Sequence, residues 1–302
     1  MKIFINRKPV SGPWGGGNKS VTALHERLIE ENFEIADTLS DDVKIIFCFD
    51  PRPDNTGLWY GDFLNHKKVF GSRIIQRVGD CGTHGKPELT ALVTQSARCS
   101  DFVIFPSIWA KNTIGFTGNN FSIVPNGPHR DFYKRRKNTY STIPKNLITH
   151  HWSTNPKKGF DFYSYIDKNM DALDINFTYI GRLPEGFSFK NANYLPPMEM
   201  NSISKELENA DIYLTASLEE AGANHVLEAL AVGLPVAYHS GGGSIVEYCR
   251  DYGVSFNNFD EMKNSINTIS NDYGTYHNKI VEYNRSVDDV VEEYLDILCN
   301  QR

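Results

Sequence analysis

The sequence predicts an α/β protein made of two doubly wound, Rossmann-like parallel sheets in tandem. Three observations predict it. Short apolar runs alternate with helical patterns along the whole chain, the pattern of parallel strands joined by crossover helices. A polar, basic segment from Asn126 to Pro144 interrupts this rhythm, which then restarts. At 302 residues the chain is long for one hydrophobic core and suits two domains of about 150 residues each.

In the first half, strands are expected at Lys2 to Asn6, Phe33 to Asp37, Val43 to Phe49, Ile74 to Val78, Phe102 to Phe105 and Phe121 to Val124. The clearest helices between them run from Lys19 to Glu31 and from Glu88 to Cys99. In the second half, strands are expected at Leu147 to Thr149, Ile175 to Ile180, Ala192 to Leu195, Asp211 to Thr215, Pro235 to Tyr238 and Val254 to Phe256. Helices fit Gly159 to Met170, Asn201 to Asn209, Asn224 to Val232, Ser244 to Tyr252 and a long tail from Tyr276 to Leu298. Ligands of such sheets bind beyond the carboxyl ends of the strands, so the loops after strands are where chemistry is sought.

Composition excludes several classes. A formal net charge of -6 argues against nucleic acid as a partner, because phosphate neutralisation needs clustered Lys and Arg. The one basic cluster, Lys134 to Lys137, reads as a solvated turn, the alternative being peripheral contact with an anionic membrane or an acidic acceptor. Met1 to Asn6 reads as a strand without a signal-peptide core, and no apolar run approaches membrane-span length, so a cytoplasmic location is expected. Five widely spaced cysteines are expected to be reduced thiols.

The most informative stretch runs from Thr215 to Tyr238, TASLEEAGANHVLEALAVGLPVAY. A strand ends near Thr215 and a helix begins near Asn224, so the N-H groups of Ala221, Gly222, Ala223 and Asn224 are expected to be unpaired at a helix N-terminus. Such a place attracts anions, and small residues let a phosphate or sugar hydroxyl approach the main chain. Glu220 precedes the turn and Glu228 lies a little over one helical turn inside. Carboxylates suit paired sugar hydroxyls, which assigns Glu228 to a ribose and Glu220 to a donor sugar. The plainer alternative is a Glu favoured by the helix dipole plus an exposed Glu.

Glu220, seven intervening residues, Glu228, and then Ala229, Ala231, Gly233, Pro235 and Val236 resemble the signature of the retaining GT-B glycosyltransferases, group 1 or family four. The resemblance implies a GT-B fold, two Rossmann-like domains facing a central cleft, in which the first Glu lies near the transferred sugar and the second binds the nucleotide ribose. HWSTNPKKGF, His151 to Phe160, resembles the family's Lys-Gly element, whose lysine contacts the donor diphosphate. Lys158 aligns with it, and Lys157 is a neighbour that could substitute. The family's companion Arg is missing, and Arg182 is the candidate for a second positive contact. His225 follows the anion turn and is a further donor-side candidate, whereas His150 and His151 with Trp152 fit a satisfied structural cluster equally well.

Two glycine turns complete the donor side. Trp14 to Lys19 includes Gly16 and Gly17 after the first strand, and Gly241 to Gly243, with Gly242 at its centre, resembles the family's second glycine turn with amides facing the cleft. Asp80 and His84 follow the fourth strand on the acceptor side. The domains expected are an acceptor-side domain at residues 1–130 and a nucleotide-sugar-binding domain at 131–284, with a helix at about 285–302 packing back on the first.

No Asp-x-Asp occurs, so metal-independent transfer is expected, with no cofactor beyond the nucleotide-sugar donor, UDP- or GDP-linked. The acceptor expected is a glycan, a lipid-linked or a small molecule, in polysaccharide or glycan biosynthesis. A catalytically silent nucleotide-sugar-binding protein and a GT-B-like epimerase are the competing readings.

Overall fold

The computed structural model describes residues 1–10, 16–135 and 146–300. Trp14 and Gly15 of the first glycine loop, Arg136 and Lys137 of the basic cluster, and the rest of the expected linker to Pro144 lie outside them. The chain forms two compact units, Met1–Asn126 with Val287–Arg302, and Gly127–Ser286.

The first unit contains β1 (Lys2–Ile5), α1 (Gly16–Glu30), β2 (Glu34–Ala36), β3 (Ile45–Cys48), α2 (Tyr60–Phe70), β4 (Arg73–Arg77), α3 (Pro87–Cys99), β5 (Phe102–Phe105), α4 (Ile108–Thr113) and β6 (Phe121–Ile123). Its six strands pair in parallel in the order β2-β1-β3-β4-β5-β6. All four residues of β3 are buried, as expected of a strand covered by helices on both faces.

The second unit contains β7 (Asn146–His151), α5 (Phe160–Leu173), β8 (Asn176–Gly181), β9 (Asn193–Leu195), α6 (Met200–Asn209), β10 (Ile212–Thr215), α7 (Asn224–Val232), β11 (Val236–His239), α8 (Ser244–Cys249), β12 (Gly253–Phe256), α9 (Phe259–Asn271) and α10 (Tyr273–Val281). Its sheet is also six-stranded and parallel, in the order β12-β11-β10-β7-β8-β9. The final helix, α11 (Val287–Asn300), packs in the first unit, where Val290, Val291, Tyr294 and Leu298 join Ile3, Leu24 and Phe47 in one core.

Two expectations need correction. The segment after Asn126 is not wholly a solvated linker: Arg130–Arg135 is a 3-10 turn that buries Phe132 completely among Ile148, Leu207 and Val226. Within it, Lys134 pairs with Asp131 and Arg135 with Glu208, so the described half of the basic cluster is internally neutralised. The long tail helix is two, α10 and α11, because the apolar residues of each half belong to different cores.

Helices α2, α4 and α9 were not anticipated. In α9, Asn258 accepts a hydrogen bond from the Glu261 amide at 2.9 Å and Met262, Ile266 and Ile269 are buried, a capped amphipathic pattern diluted by intervening polar residues. Among the described residues no helix is long and apolar enough to cross a membrane.

Candidate active site

In the second sheet the chain runs outward from β7 through β8 to β9 on one side, and from β10 through β11 to β12 on the other. The strand order therefore reverses between β7 and β10, the switch point of the sheet, where ligands of such folds bind at the strand ends. Both expected charge-bearing segments lie there, Lys157 and Lys158 after β7 and Glu219 and Glu220 after β10.

After β7, the Asn155 side chain accepts from the Lys157 amide at 2.9 Å, and Pro156 opens a 3-10 turn that ends at Gly159. Gly159 sits at φ 83, and a Cβ there would meet Ala216 Cβ at 2.4 Å and Ala216 O at 2.5 Å. Only a glycine lets the two loops touch. The Leu218 amide closes the contact on Lys157 O at 2.8 Å. Lys158, 9% exposed, then ends on the Glu220 carboxylate, while Lys157 ends on Glu219.

The loop after β10 is stitched to the loop after β11. Glu219 donates its amide to Gly241 O at 2.9 Å, Glu220 to Gly242 O at 3.2 Å, and Ser244 donates to Glu220 O at 2.8 Å. Glu219 itself adopts φ 55, a left-handed conformation that costs a side-chain-bearing residue about 1 kcal/mol or more. Two of the expected anion-binding features are thereby altered. The Ala223 amide, expected unpaired, donates to Ser244 Oγ at 3.0 Å. The amides of Gly241 and Gly242 turn inward to His239 Nδ1 (2.9 Å) and His239 O (3.0 Å), because this turn braces the neighbouring loop rather than presenting donors. Gly222 is partly buried before α7, and Asn224 opens that helix.

Glu228 is buried on α7, and its Oε2 lies 2.8 Å from His150 Nε2. A carboxylate only accepts, so Nε2 carries the proton, and Nδ1 faces the Tyr213 hydroxyl at 3.1 Å. The expected ribose ligand is thus oriented by a histidine at the end of β7.

His151, next along the strand, accepts from the Tyr163 hydroxyl at 2.6 Å, and Tyr163 in turn accepts from the Ala216 amide at 3.1 Å. Burial, then the neighbouring His225 and Lys158, push His151 well below the usual imidazole range. His225, at the start of α7, lies 3.2 Å from Thr215 Oγ1. Burial, partly opposed by Glu220, brings its imidazole down to about 3.

The remaining expected residues are not all gathered here. Exposed Arg182 stacks its guanidinium 4.0 Å above the Trp152 ring, at the end of β8, and contacts that ring rather than the Lys158–Glu220 pair. Gly16 and Gly17 form the first turn of α1, in the first unit. Asp80 closes its own turn, accepting from the Gly82 amide at 2.8 Å and Lys86 Nζ at 2.9 Å, and His84 lies partly buried within that turn.

Sequence reasoning undervalued His150 and missed Glu219, Tyr163 and Ser217. The paired His150 and His151 just before the Lys-Gly element were a signal. Ser217, completely buried with an Oγ that has no hydrogen-bond partner, left none.

Residues 189–287, about a third of the chain, match the family model described as Glycosyl transferases group 1. The protein is a glycosyltransferase. The match takes in Glu219, Glu220, Glu228 and Gly242 but stops short of Lys157 and Lys158. No curated protein sequence matches this glycosyltransferase significantly.

Among solved structures, it is similar to WaaG, a glycosyltransferase involved in lipopolysaccharide biosynthesis, at 13% identity and TM-score 0.67, with 98% of this chain and 99% of that one covered. Anabaena HepE in complex with UDP and glucose is similar at 13% identity and TM-score 0.70, with 99% of both chains covered. Sucrose-phosphate synthase from Thermosynechococcus elongatus gives 11% and 0.70, with 99% and 98% covered. At these identities the likeness establishes the fold, which is GT-B.

Proposed function

We infer that this glycosyltransferase moves a sugar from a nucleotide-diphosphate donor, UDP- or GDP-linked, onto an acceptor with retention of anomeric configuration and without a metal ion. One observation carries the reading: the buried Lys158 ammonium and the Glu220 carboxylate meet where the loops after β7 and β10 converge. An ammonium held there by a rigid glycine turn suits charge growing on a departing diphosphate. HepE, in its complex with UDP and glucose, supports a uridine-nucleotide donor.

The geometry supports a division of labour. Lys158 holds the diphosphate and stabilises its charge as the glycosidic bond breaks. Glu220, released from Lys158 as the diphosphate takes the ammonium, accepts hydrogen bonds from sugar hydroxyls. Glu228, braced by His150, is the ribose acceptor. With His151 and His225 uncharged, these two imidazoles add no positive charge that would hold the product diphosphate. The acceptor hydroxyl attacks from the face that the diphosphate leaves, whose oxygens receive its proton, so the protein supplies positioning and electrostatics rather than a nucleophile.

The test is a panel of UDP-, GDP- and ADP-sugars scored by thermal shift and by release of nucleotide diphosphate, with and without EDTA. One UDP- or GDP-sugar should stabilise the chain, at 100 times its Kd by about 2.7 kcal/mol, and be turned over equally well in EDTA. A chain that no nucleotide sugar stabilises, or whose turnover stops in chelator, would overturn the reading.

A further inference from the structure

The first unit has a cavity of its own, about 330 Å³, at the carboxyl ends of β1, β3 and β4. It stands at the switch point of the first sheet, where β1 leads to β2 on one side and β3 to β4 on the other. Val21, Phe49, Leu89 and Val93 give it an apolar floor, and its charged lining comprises Arg7, Lys8, Arg52 and Arg77 against Asp50 and Asp80.

These charges are not equivalent. Arg7 and Arg52 share Asp50, at 3.2 Å and 2.7 Å, and Asp80 is engaged by Lys86. Arg77 is only 6% exposed, yet its partners are neutral. Its Nε donates to the Tyr294 hydroxyl at 3.0 Å, its Nη2 to Asn126 Oδ1 at 2.9 Å, and its guanidinium lies 5.6 Å from the Phe49 ring centroid.

A buried cation without an anion is costly, and proteins normally supply the counter-charge. Among the described residues none does. Beside it, Gly79 keeps the Nη1 edge bare, since a Cβ there would lie 2.6 Å from that nitrogen.

We propose that this cavity receives an acidic group, phosphate or carboxylate, carried by the acceptor, and that Arg77 recognises it. A planar guanidinium with an open edge matches the paired oxygens of either group, and the apolar floor takes the body of the molecule. The word acceptor rests on the transferase reading above. The anion site stands on the first unit alone.

The experiment is calorimetric titration of the full chain at low salt with glucose 6-phosphate, glucuronate and glucose, and separately with UDP. At least one acidic sugar should bind ten or more times tighter than glucose and weaken as salt is raised. Arg77→Met, and Arg77→Lys, which keeps the charge but loses the fork, should each lower that affinity at least tenfold and leave UDP affinity unchanged. Equal binding of glucose and both acids by the wild type overturns the proposal, whether or not the variants fold. So does displacement of the acid by UDP, with matching loss in Lys158→Ala, since the anion would then be the donor's. Acid binding without any UDP binding would instead count against a uridine-nucleotide donor and leave the anion site standing.

Discussion

Lys158 and Glu220, 62 positions apart in sequence, neutralise each other at the loop junction of the second sheet, with their side chains 11% and 14% exposed. Removing one partner strands the other's charge. Lys158→Ala should therefore lower unfolding free energy by roughly 3 kcal/mol and turnover by about 10²-fold or more. The double variant Lys158→Met/Glu220→Gln should regain most of the stability and none of the activity. Recovery of activity in the double variant would mean that the pair is only structural.

Glu228 and His150 form a second buried pair, and the prediction for it separates binding from chemistry. His150→Ala removes the Nε2 donor from the buried carboxylate, which should destabilise the chain by about 1–3 kcal/mol and weaken UDP binding several-fold in calorimetry. With a donor sugar at saturation the turnover should change little. A fall in turnover at unchanged UDP affinity would contradict the ribose assignment.

Acid sensitivity follows from the two depressed imidazoles beside the Lys158–Glu220 pair. His225, at about 3, and His151, shifted in the same direction, stay neutral in the folded chain while an unfolded histidine protonates near 6.5. Stability is thus complete above that value and falls as pH drops below it, by up to about 1.4 kcal/mol per pH unit for each histidine. Urea unfolding at pH 8, 6.5 and 5 should show a flat upper interval and a steep lower one, the latter shallower in His225→Asn. Equal midpoints at pH 6.5 and 5 would refute this.

Gly159→Ala should destabilise strongly. The added Cβ would meet backbone atoms of residue 216 that cannot swing aside, on top of the left-handed penalty of about 1–2 kcal/mol. The expected result is a lower denaturation midpoint together with loss of activity, since Lys158 is carried by the same turn. Wild-type turnover in this variant would show that the turn need not be rigid.

Much of the fold could be read from the chain. Among the described residues the twelve strands coincide with the twelve apolar runs within a few residues, most clearly for β3 and β10, because a strand buried on both faces must be apolar throughout. Helix α2 was harder, since only Tyr60, Phe63 and His66 of its eleven residues are buried and its polar majority hides the period. At the site, Glu220 and Lys158 stand out as charges in loops after strands next to small residues, and Glu228 as a carboxylate one turn into the helix that follows. The inward amides of Gly241 and Gly242 were not legible, since a glycine tells that a backbone is free to turn and not which way it turns.

The sequence by itself determined two parallel sheets, the strand ends where charges collect, and the spacing of the two glutamates, all properties of local period and composition. The tertiary structure decided the pairings: Lys158 with Glu220, His150 with Glu228, and Arg77 with neutral partners only. Strand order sets which loops meet, and order depends on the packing of helices against whole sheets. A charge's partner is therefore chosen by residues far away in the chain, and no local pattern carries that choice.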